Sequence, residues 1–142
     1  MKEALVTWTG GMSFNGRTGS GHDVVMDARP DVGGENKGPR PTELLLTALG
    51  GCTGMDVVSV LKKMRVDVDR LEMAIEAEER AEHPKHFEKI TMVYRIWGPE
   101  IPEEKFRRAV ELSFTTYCSV GALLKKGAEV SYRLELNGNP LS

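Results

Sequence analysis

Hydrophobic and polar positions along the chain switch between strand-like and helix-like patterns. The first third reads as short strands separated by the glycine turns Gly10-Gly11 and Gly19–Gly21. Apolar residues then recur at three- and four-residue steps from Pro41 to about Arg65, which predicts a long helix. The predicted elements are strands at 3–9, 12–17 and 22–27, a helix at 41–65, strands at 71–77 and 90–96, helices at 102–117 and 119–126, and a strand at 130–136.

The predicted order β-β-β-α-β-β-α-α-β defines an α+β fold, and we interpret residues 1–142 as one domain. Pro41 and Pro102 suit the first position of a helix, where the missing N–H costs nothing. Gly50 and Gly51 lie inside the long helix, and each costs about 1 kcal/mol relative to alanine. We therefore expect another segment to approach the helix at these glycines, or the helix to be kinked there.

The stretch Leu44–Leu61 is apolar on nearly every side of the predicted helix. A small domain cannot surround such a helix, so we predict a homodimer in which a partner subunit supplies one wall. The stretch also raises the question of a membrane span. It is short and contains Asp56 and two central glycines, so a buried helix of a soluble protein is the better interpretation and no membrane is expected.

Composition narrows the functional classes. Hydrophobic residues make up 40% of the chain and charged residues 28%, with a net charge of −2, which is typical of a soluble globular protein. No basic stripe is present, so nucleic acid is not an expected partner. The opening Met1-Lys2-Glu3 leads directly into a strand without the apolar core of a signal peptide, and we expect a cytoplasmic protein.

Cys52 and Cys118 are the two cysteines of the chain, which is too few for a disulfide scaffold. A cysteine within an apolar helix, such as Cys52, is more often an inert core residue than a nucleophile. Cys118 lies between the last two predicted helices, where a helix end could lower its pKa or where it could simply pack. The cysteines have no zinc-like spacing, and His83 and His86 flank Pro84 in a hairpin loop, so neither a metal nor a cofactor is expected.

Two segments resemble the OsmC/Ohr family of cysteine-dependent peroxidases. The run Gly38–Cys52 (GPRPTELLLTALGGC) is similar to its signature, in which a cysteine follows the helix-opening proline by eleven residues. Tyr117–Val120 is similar to the second cysteine site of the family, and the element order agrees over essentially the whole chain. Residues 50–59 resemble a less characterised OsmC-like branch more than the hydroperoxide reductases.

The resemblance implies an intertwined homodimer with active sites at the subunit interface. It also implies hydroperoxide reduction in oxidative-stress defence. Cys52 would attack the O–O bond and become a sulfenic acid, Cys118 would resolve it to a disulfide, and an external thiol reductant would reopen that bond. The alternative function is that of a non-peroxidatic OsmC-like protein, which binds a small apolar or sulfur-containing ligand in the interface pocket.

The family also uses an arginine that stabilises the thiolate and a carboxylate that holds this arginine. We choose Arg17 as the arginine, with Arg40 as the second choice. For the carboxylate, the hydroperoxide reductases have a glutamate directly after the proline, whereas this chain has Thr42 there and Glu43 one position later.

Helical geometry separates the two candidate carboxylates. At about 100° per residue, Glu43 and Cys52 lie on opposite faces of a straight helix, while Asp56 shares the face of Cys52. Glu43 could therefore only stabilise the start of the helix through the helix dipole, unless a kink at the glycines turns it toward Cys52. Asp56 beside Cys52 would suppress thiolate formation unless it holds an arginine or His22.

Overall fold

A computed structural model describes all residues from 1 to 142. The chain divides into two compact units, Met1–Leu45 and Leu46–Ser142. The strands are β1 (Ala4–Gly10), β2 (Ser13–Thr18), β3 (Asp23–Met26), β4 (Arg70–Glu79), β5 (Phe87–Trp97), β6 (Glu129–Leu136) and β7 (Asn139–Leu141). The helices are α1 (Pro41–Lys63), α2 (Glu103–Leu112) and α3 (Ser119–Leu124), with a 3-10 turn at Pro30–Val32 and a π-helical segment at Ser113–Tyr117.

The α+β class is confirmed, and the predicted elements appear in the predicted order with two differences. The last strand was expected to end the chain, but β7 follows it through Asn137-Gly138, whose φ angles are 49° and 84°. Asn-Gly is a strong hairpin signal, but the three residues of β7 are too few to show a strand periodicity of their own. The second helix was predicted to run regularly to Tyr117, whereas α2 ends at Leu112 and a π-helical segment continues it.

The first unit is an antiparallel three-stranded sheet in the order β1-β2-β3. Asp27 anchors the loop that follows this sheet, since its carboxylate accepts hydrogen bonds from the backbone N–H groups of Ala28, Glu35 and Lys37 at 2.7, 3.1 and 3.1 Å. Every residue of β1 is exposed in the single chain. Leu5 and Trp8 retain 68% and 64% of their accessible surface, so the unit presents an uncovered apolar surface.

The second unit is a four-stranded sheet in the order β4-β5-β6-β7, packed against helices. β4 and β5 form an antiparallel hairpin, while β5 and β6 are parallel. A parallel pair needs a crossover connection, and α2 and α3 supply it. The core combines fully buried side chains from α1, β5 and α2, namely Leu49, Val57, Leu61, Ile90, Tyr94, Ile96, Phe106 and Val110.

The long helix α1 continues through Gly50-Gly51 without a break. The close approach expected at Gly50 and Gly51 is present at Gly50 but not at Gly51, where an added Cβ would have no neighbour within 4 Å. A Cβ at Gly50 would lie 3.2 Å from Ile75 Cδ1, and one at Gly54 would lie 2.7 Å from Met73 Cε, so β4 packs against bare helix backbone. The opposite side is uncovered in the single chain, where Met55 is 76% exposed, and only 28% of the most apolar stretch of α1 is buried.

Candidate functional site

The structure brings the two cysteines together although they are 66 positions apart in the sequence. Cys52 lies on α1, and Cys118 lies between the π-helical segment and α3. Their Sγ atoms and a carboxylate oxygen of Asp56 all lie within 4.8 Å of one another. Both thiols are free; Cys52 is partly exposed, whereas Cys118 is 6% exposed.

The backbone around Cys118 fixes the position of its sulfur. The π-helical segment ends when the Cys118 N–H donates to the carbonyl oxygen of Ser113 at 2.9 Å. Cys118 then caps α3, because its Sγ accepts a hydrogen bond from the backbone N–H of Gly121 at 3.3 Å. A Cβ at position 121 would lie 3.2 Å from that sulfur, so glycine leaves the room in which the thiol sits.

The surroundings of Cys118 favour its neutral thiol. Burial, the adjacent Cys52 and the charge of Asp56 raise the pKa of Cys118 to about 11, and the hydrogen bond from the Gly121 N–H only partly offsets them. From the sequence, a helix end could lower the pKa of Cys118, or the residue could simply pack. The hydrogen bond at the end of α3 is present, but desolvation of the buried sulfur outweighs it. Cys118 therefore remains protonated near neutral pH.

A chain of buried hydroxyl groups leads to Asp56. Thr53 Oγ1 lies 2.6 Å from the Tyr94 hydroxyl and 2.7 Å from Ser113 Oγ. Ser113 Oγ donates to Asp56 Oδ2 at 2.9 Å. Each hydroxyl has one proton, so this last bond sets the direction of the others: Tyr94 donates to Thr53, and Thr53 donates to Ser113. Burial raises the pKa of Tyr94 to about 12, which is consistent with its role as the terminal donor.

Sequence reasoning missed this network. It placed Ser113 on the apolar stripe of the second helix and gave no role to Thr53 or Tyr94. The available signal was a pair of hydroxyl residues at positions that the helical periodicity assigns to the core. Buried hydroxyl groups need partners, and Thr53 and Ser113, both fully or nearly fully buried, are partners of each other.

The two candidate carboxylates have different partners. Asp56 shares the face of Cys52, as the helical arithmetic predicts for the unbroken α1, and its partner is Ser113. Among residues 46–142, no arginine, lysine or histidine lies within 4.0 Å of it. Glu43 Oε1 accepts a hydrogen bond from the backbone N–H of Arg40 at 2.7 Å, which caps the start of α1. This is the helix-end role that the sequence analysis considered for Glu43.

The candidate arginines have local partners within the first unit. Arg17 Nη1 forms an ion pair with Asp23 Oδ2 at 3.0 Å between β2 and β3, with both side chains about half exposed. The Arg40 guanidinium donates to Asn36 Oδ1 at 2.7 Å and to the carbonyl oxygen of Gly38 at 3.0 Å. The group that the structure assembles is therefore Cys52, Asp56 and Cys118, and the role of either arginine stays a prediction.

A groove of about 500 Å³ opens beside Asp56 in the second unit. Its lining combines apolar and charged side chains, namely Asp56, Val60, Lys63, Met64, Leu112 and Tyr117. Tyr117 is 54% exposed because the π-helical segment takes it off the buried stripe of α2. A small molecule with an apolar body fits the character of this groove.

Comparison with known proteins agrees with the fold. The family model for OsmC-like protein matches residues 34–133. Protein YhfA of Escherichia coli K12 is 37% identical over 134 residues, which cover 94% of this chain and 97% of the relative. The crystal structure of a hypothetical protein from Aquifex aeolicus matches this fold with a TM-score of 0.80. The two sequences are 32% identical, and the match covers 96% of this chain and 97% of the other.

A more distant solved structure shares the fold alone. An organic hydroperoxide resistance protein from Legionella pneumophila is 15% identical, with a TM-score of 0.71 over 95% of this chain and 96% of its own. At this identity the similarity shows the architecture, and the activity of this chain has to be argued from its own residues.

Proposed function

This chain belongs to the OsmC-like protein family, and on that basis we propose that it reduces organic hydroperoxides through Cys52 and Cys118. The observation that carries the proposal is the meeting of the two sulfurs, within 4.8 Å of each other, on segments far apart in the sequence. A peroxidatic cysteine and its resolving cysteine must meet in this way. The partly exposed Cys52 takes the peroxidatic role because peroxide can reach it more readily than the buried Cys118.

The reaction proceeds in two steps with balanced electrons and atoms. The Cys52 thiolate attacks one peroxide oxygen, the O–O bond breaks, and the alcohol leaves after taking a proton, so Cys52 becomes a sulfenic acid. The Cys118 sulfur then attacks the Cys52 sulfur, loses its proton, and water leaves as the disulfide forms. An external thiol reductant returns both cysteines to thiols. This chemistry suits a cytoplasmic location, where thiol reductants are maintained.

We further propose that the protein works as a homodimer. The single chain leaves Met55 and Val58 of α1 76% and 50% exposed, beside an apolar depression of about 610 Å³ that Gly51 and Gly54 help to line. Continuous apolar surface of this kind is unusual on soluble monomers and typical of subunit interfaces. A second copy of the chain is the partner that the family resemblance implies.

Peroxide consumption in the presence of a dithiol reductant tests the activity. Cumene hydroperoxide should be reduced faster than hydrogen peroxide, because Val60, Met64 and Leu112 give the groove beside Asp56 an apolar part that the aromatic ring can contact. Cys52→Ser should abolish turnover, whereas Cys118→Ser should consume one equivalent of peroxide and then stop when the dithiol is left out. Ser119→Ala is the matched control, since Ser119 is an exposed neighbour of Cys118. Full turnover by Cys52→Ser would contradict the proposal.

The thiolate also needs a cation, and Arg17 is our first choice. Arg17→Ala should slow the first oxidation of Cys52, and Arg17→Lys should restore part of the rate because it keeps the charge but loses the planar fork. If Glu43 holds this arginine, Glu43→Gln should cause a similar loss. Arg40→Ala tests the second choice. If only Arg40→Ala slows oxidation, the assignment moves to Arg40.

A non-peroxidatic role is the second candidate function, and the environment of Asp56 favours it. The carboxylate lies beside both sulfurs, and Cys118 has its pKa raised to about 11 by burial first and by Cys52 and Asp56 in addition. Two cysteines beside a carboxylate, one of them a buried neutral thiol, would bind a small apolar or sulfur-containing ligand without reacting readily with peroxide. Thiols that survive excess cumene hydroperoxide, together with saturable binding of a small thiol, would select this function.

A further inference from the structure

We propose that the reduced protein binds one Zn²⁺ ion per chain through the Sγ atoms of Cys52 and Cys118 and a carboxylate oxygen of Asp56. This site shares its two cysteines with the proposed peroxidase reaction and adds Asp56, but it does not rest on that reaction. Sequence analysis gave no reason to expect a metal, because the two sulfur ligands are 66 positions apart and their spacing resembles no zinc motif. Only the fold brings them together.

The three donor atoms have nearly the separation that zinc requires. All of them lie within 4.8 Å of one another. Around a tetrahedral zinc with Zn–S bonds of about 2.3 Å and a Zn–O bond of about 2.0 Å, two sulfurs are about 3.8 Å apart and a sulfur and an oxygen about 3.5 Å apart, so each pair has to approach by at most about 1.3 Å. Rotation of the Cys52 side chain supplies this movement most easily, because that residue is the less buried of the two cysteines.

Neighbouring groups already hold two of the ligands in place. Ser113 Oγ donates to Asp56 Oδ2, and this hydrogen bond fixes the orientation of the carboxylate beside the two sulfurs. The backbone N–H of Gly121 donates to Cys118 Sγ, a contact that also suits a metal-bound thiolate. Hydrogen bonds of this kind orient metal ligands before the ion arrives, and Ser113 is itself held by Thr53.

The donor set selects a thiophilic ion. Two sulfurs and one carboxylate oxygen suit Zn²⁺, whereas Mg²⁺ and Ca²⁺ require shells of oxygen. Three protein ligands leave a fourth tetrahedral position open, which water can fill. Each thiol that ligates as a thiolate releases its proton to the solvent. Zinc binding and a disulfide between these cysteines are mutually exclusive, because the disulfide removes both sulfur ligands.

Calorimetric titration of the reduced full-length protein with Zn²⁺ tests the site. We expect about one ion per chain. Cys52→Ser and Cys118→Ser should each weaken the affinity by more than about 100-fold, the upper figure for losing an outer-shell partner, and Asp56→Asn should weaken it less. The double variant His83→Ala/His86→Ala is the control, because it removes the alternative histidine ligands, and it should bind zinc like the unmodified protein.

Two measurements use the unmodified chain, so their outcome does not depend on whether a variant folds. Co²⁺ in place of Zn²⁺ should give a sulfur-to-cobalt charge-transfer band, and Zn²⁺ should slow alkylation of both thiols until a chelator is added. The disulfide form, prepared with diamide rather than peroxide, should bind neither ion. Zinc affinity that persists in both cysteine variants, or thiols that alkylate equally fast with and without Zn²⁺, would overturn the proposal. Peroxidase activity could still be present in that case.

Discussion

Ser113→Ala is the substitution whose cost follows most directly from the structure. The Ser113 hydroxyl is fully buried, accepts from Thr53 Oγ1 at 2.7 Å and donates to Asp56 Oδ2 at 2.9 Å. Alanine leaves the buried Thr53 donor without an acceptor, which costs about 1–3 kcal/mol. Asp56 is only partly buried and can recover a hydrogen bond from water, so its lost partner adds little to this free-energy cost. We expect the free energy of unfolding to fall by about 2 kcal/mol.

Urea denaturation at a fixed protomer concentration measures this loss, because a dimer would make the apparent stability depend on concentration. Ser119→Ala is the control: it removes the same hydroxyl from an exposed residue six positions away and should change stability by less than about 0.5 kcal/mol. The slope of the transition should be unchanged in both variants. A Ser113→Ala protein as stable as Ser119→Ala would refute the directed hydroxyl chain from Tyr94 to Asp56.

Three further outcomes follow from the site and from α1. Asp56→Asn should lower the pKa of Cys118, because it removes a charge that raises this pKa, and an unchanged ultraviolet thiolate titration would contradict that. Gly54→Ala should not lower stability in urea, since the atom 2.7 Å from its Cβ is Met73 Cε, the end of a flexible side chain that can shift, and alanine gains about 1 kcal/mol over glycine inside a helix; a clear loss of stability would contradict this. Sedimentation equilibrium should show a dimer down to low micromolar concentration. A stable monomer at that concentration would contradict the proposed homodimer.

The sequence was sufficient for those elements whose periodicity is regular. The alternation in β4 and β5 and the apolar spacing of α1 located these elements to within a few residues. The helical arithmetic also placed Asp56 beside Cys52 correctly, because α1 is unbroken at its glycines. Hydrogen bonds between residues far apart in the sequence could not be predicted from periodicity. The partnership of Thr53 with Tyr94 and Ser113 depends on how α1, β5 and the π-helical segment pack.

The sequence also could not show which of the opposing effects on the pKa of Cys118 is the larger. Its position at a helix end was visible from the pattern, and the hydrogen bond from Gly121 confirms that position. The degree of burial was not visible, and burial makes the largest contribution to its raised pKa. The choice between Arg17 and Arg40 depends on tertiary and quaternary contacts in the same way, so it remains a prediction.

A count of free thiols after peroxide addition tests the central claim most directly. One equivalent of cumene hydroperoxide per reduced chain should consume two thiols and yield an intramolecular disulfide between Cys52 and Cys118, identified by peptide mass mapping. In Cys118→Ser, the same treatment should leave a sulfenic acid on Cys52 that dimedone traps. Two free thiols remaining after excess peroxide would contradict the peroxidase function, and a sulfenic acid found first on Cys118 would reverse the two roles.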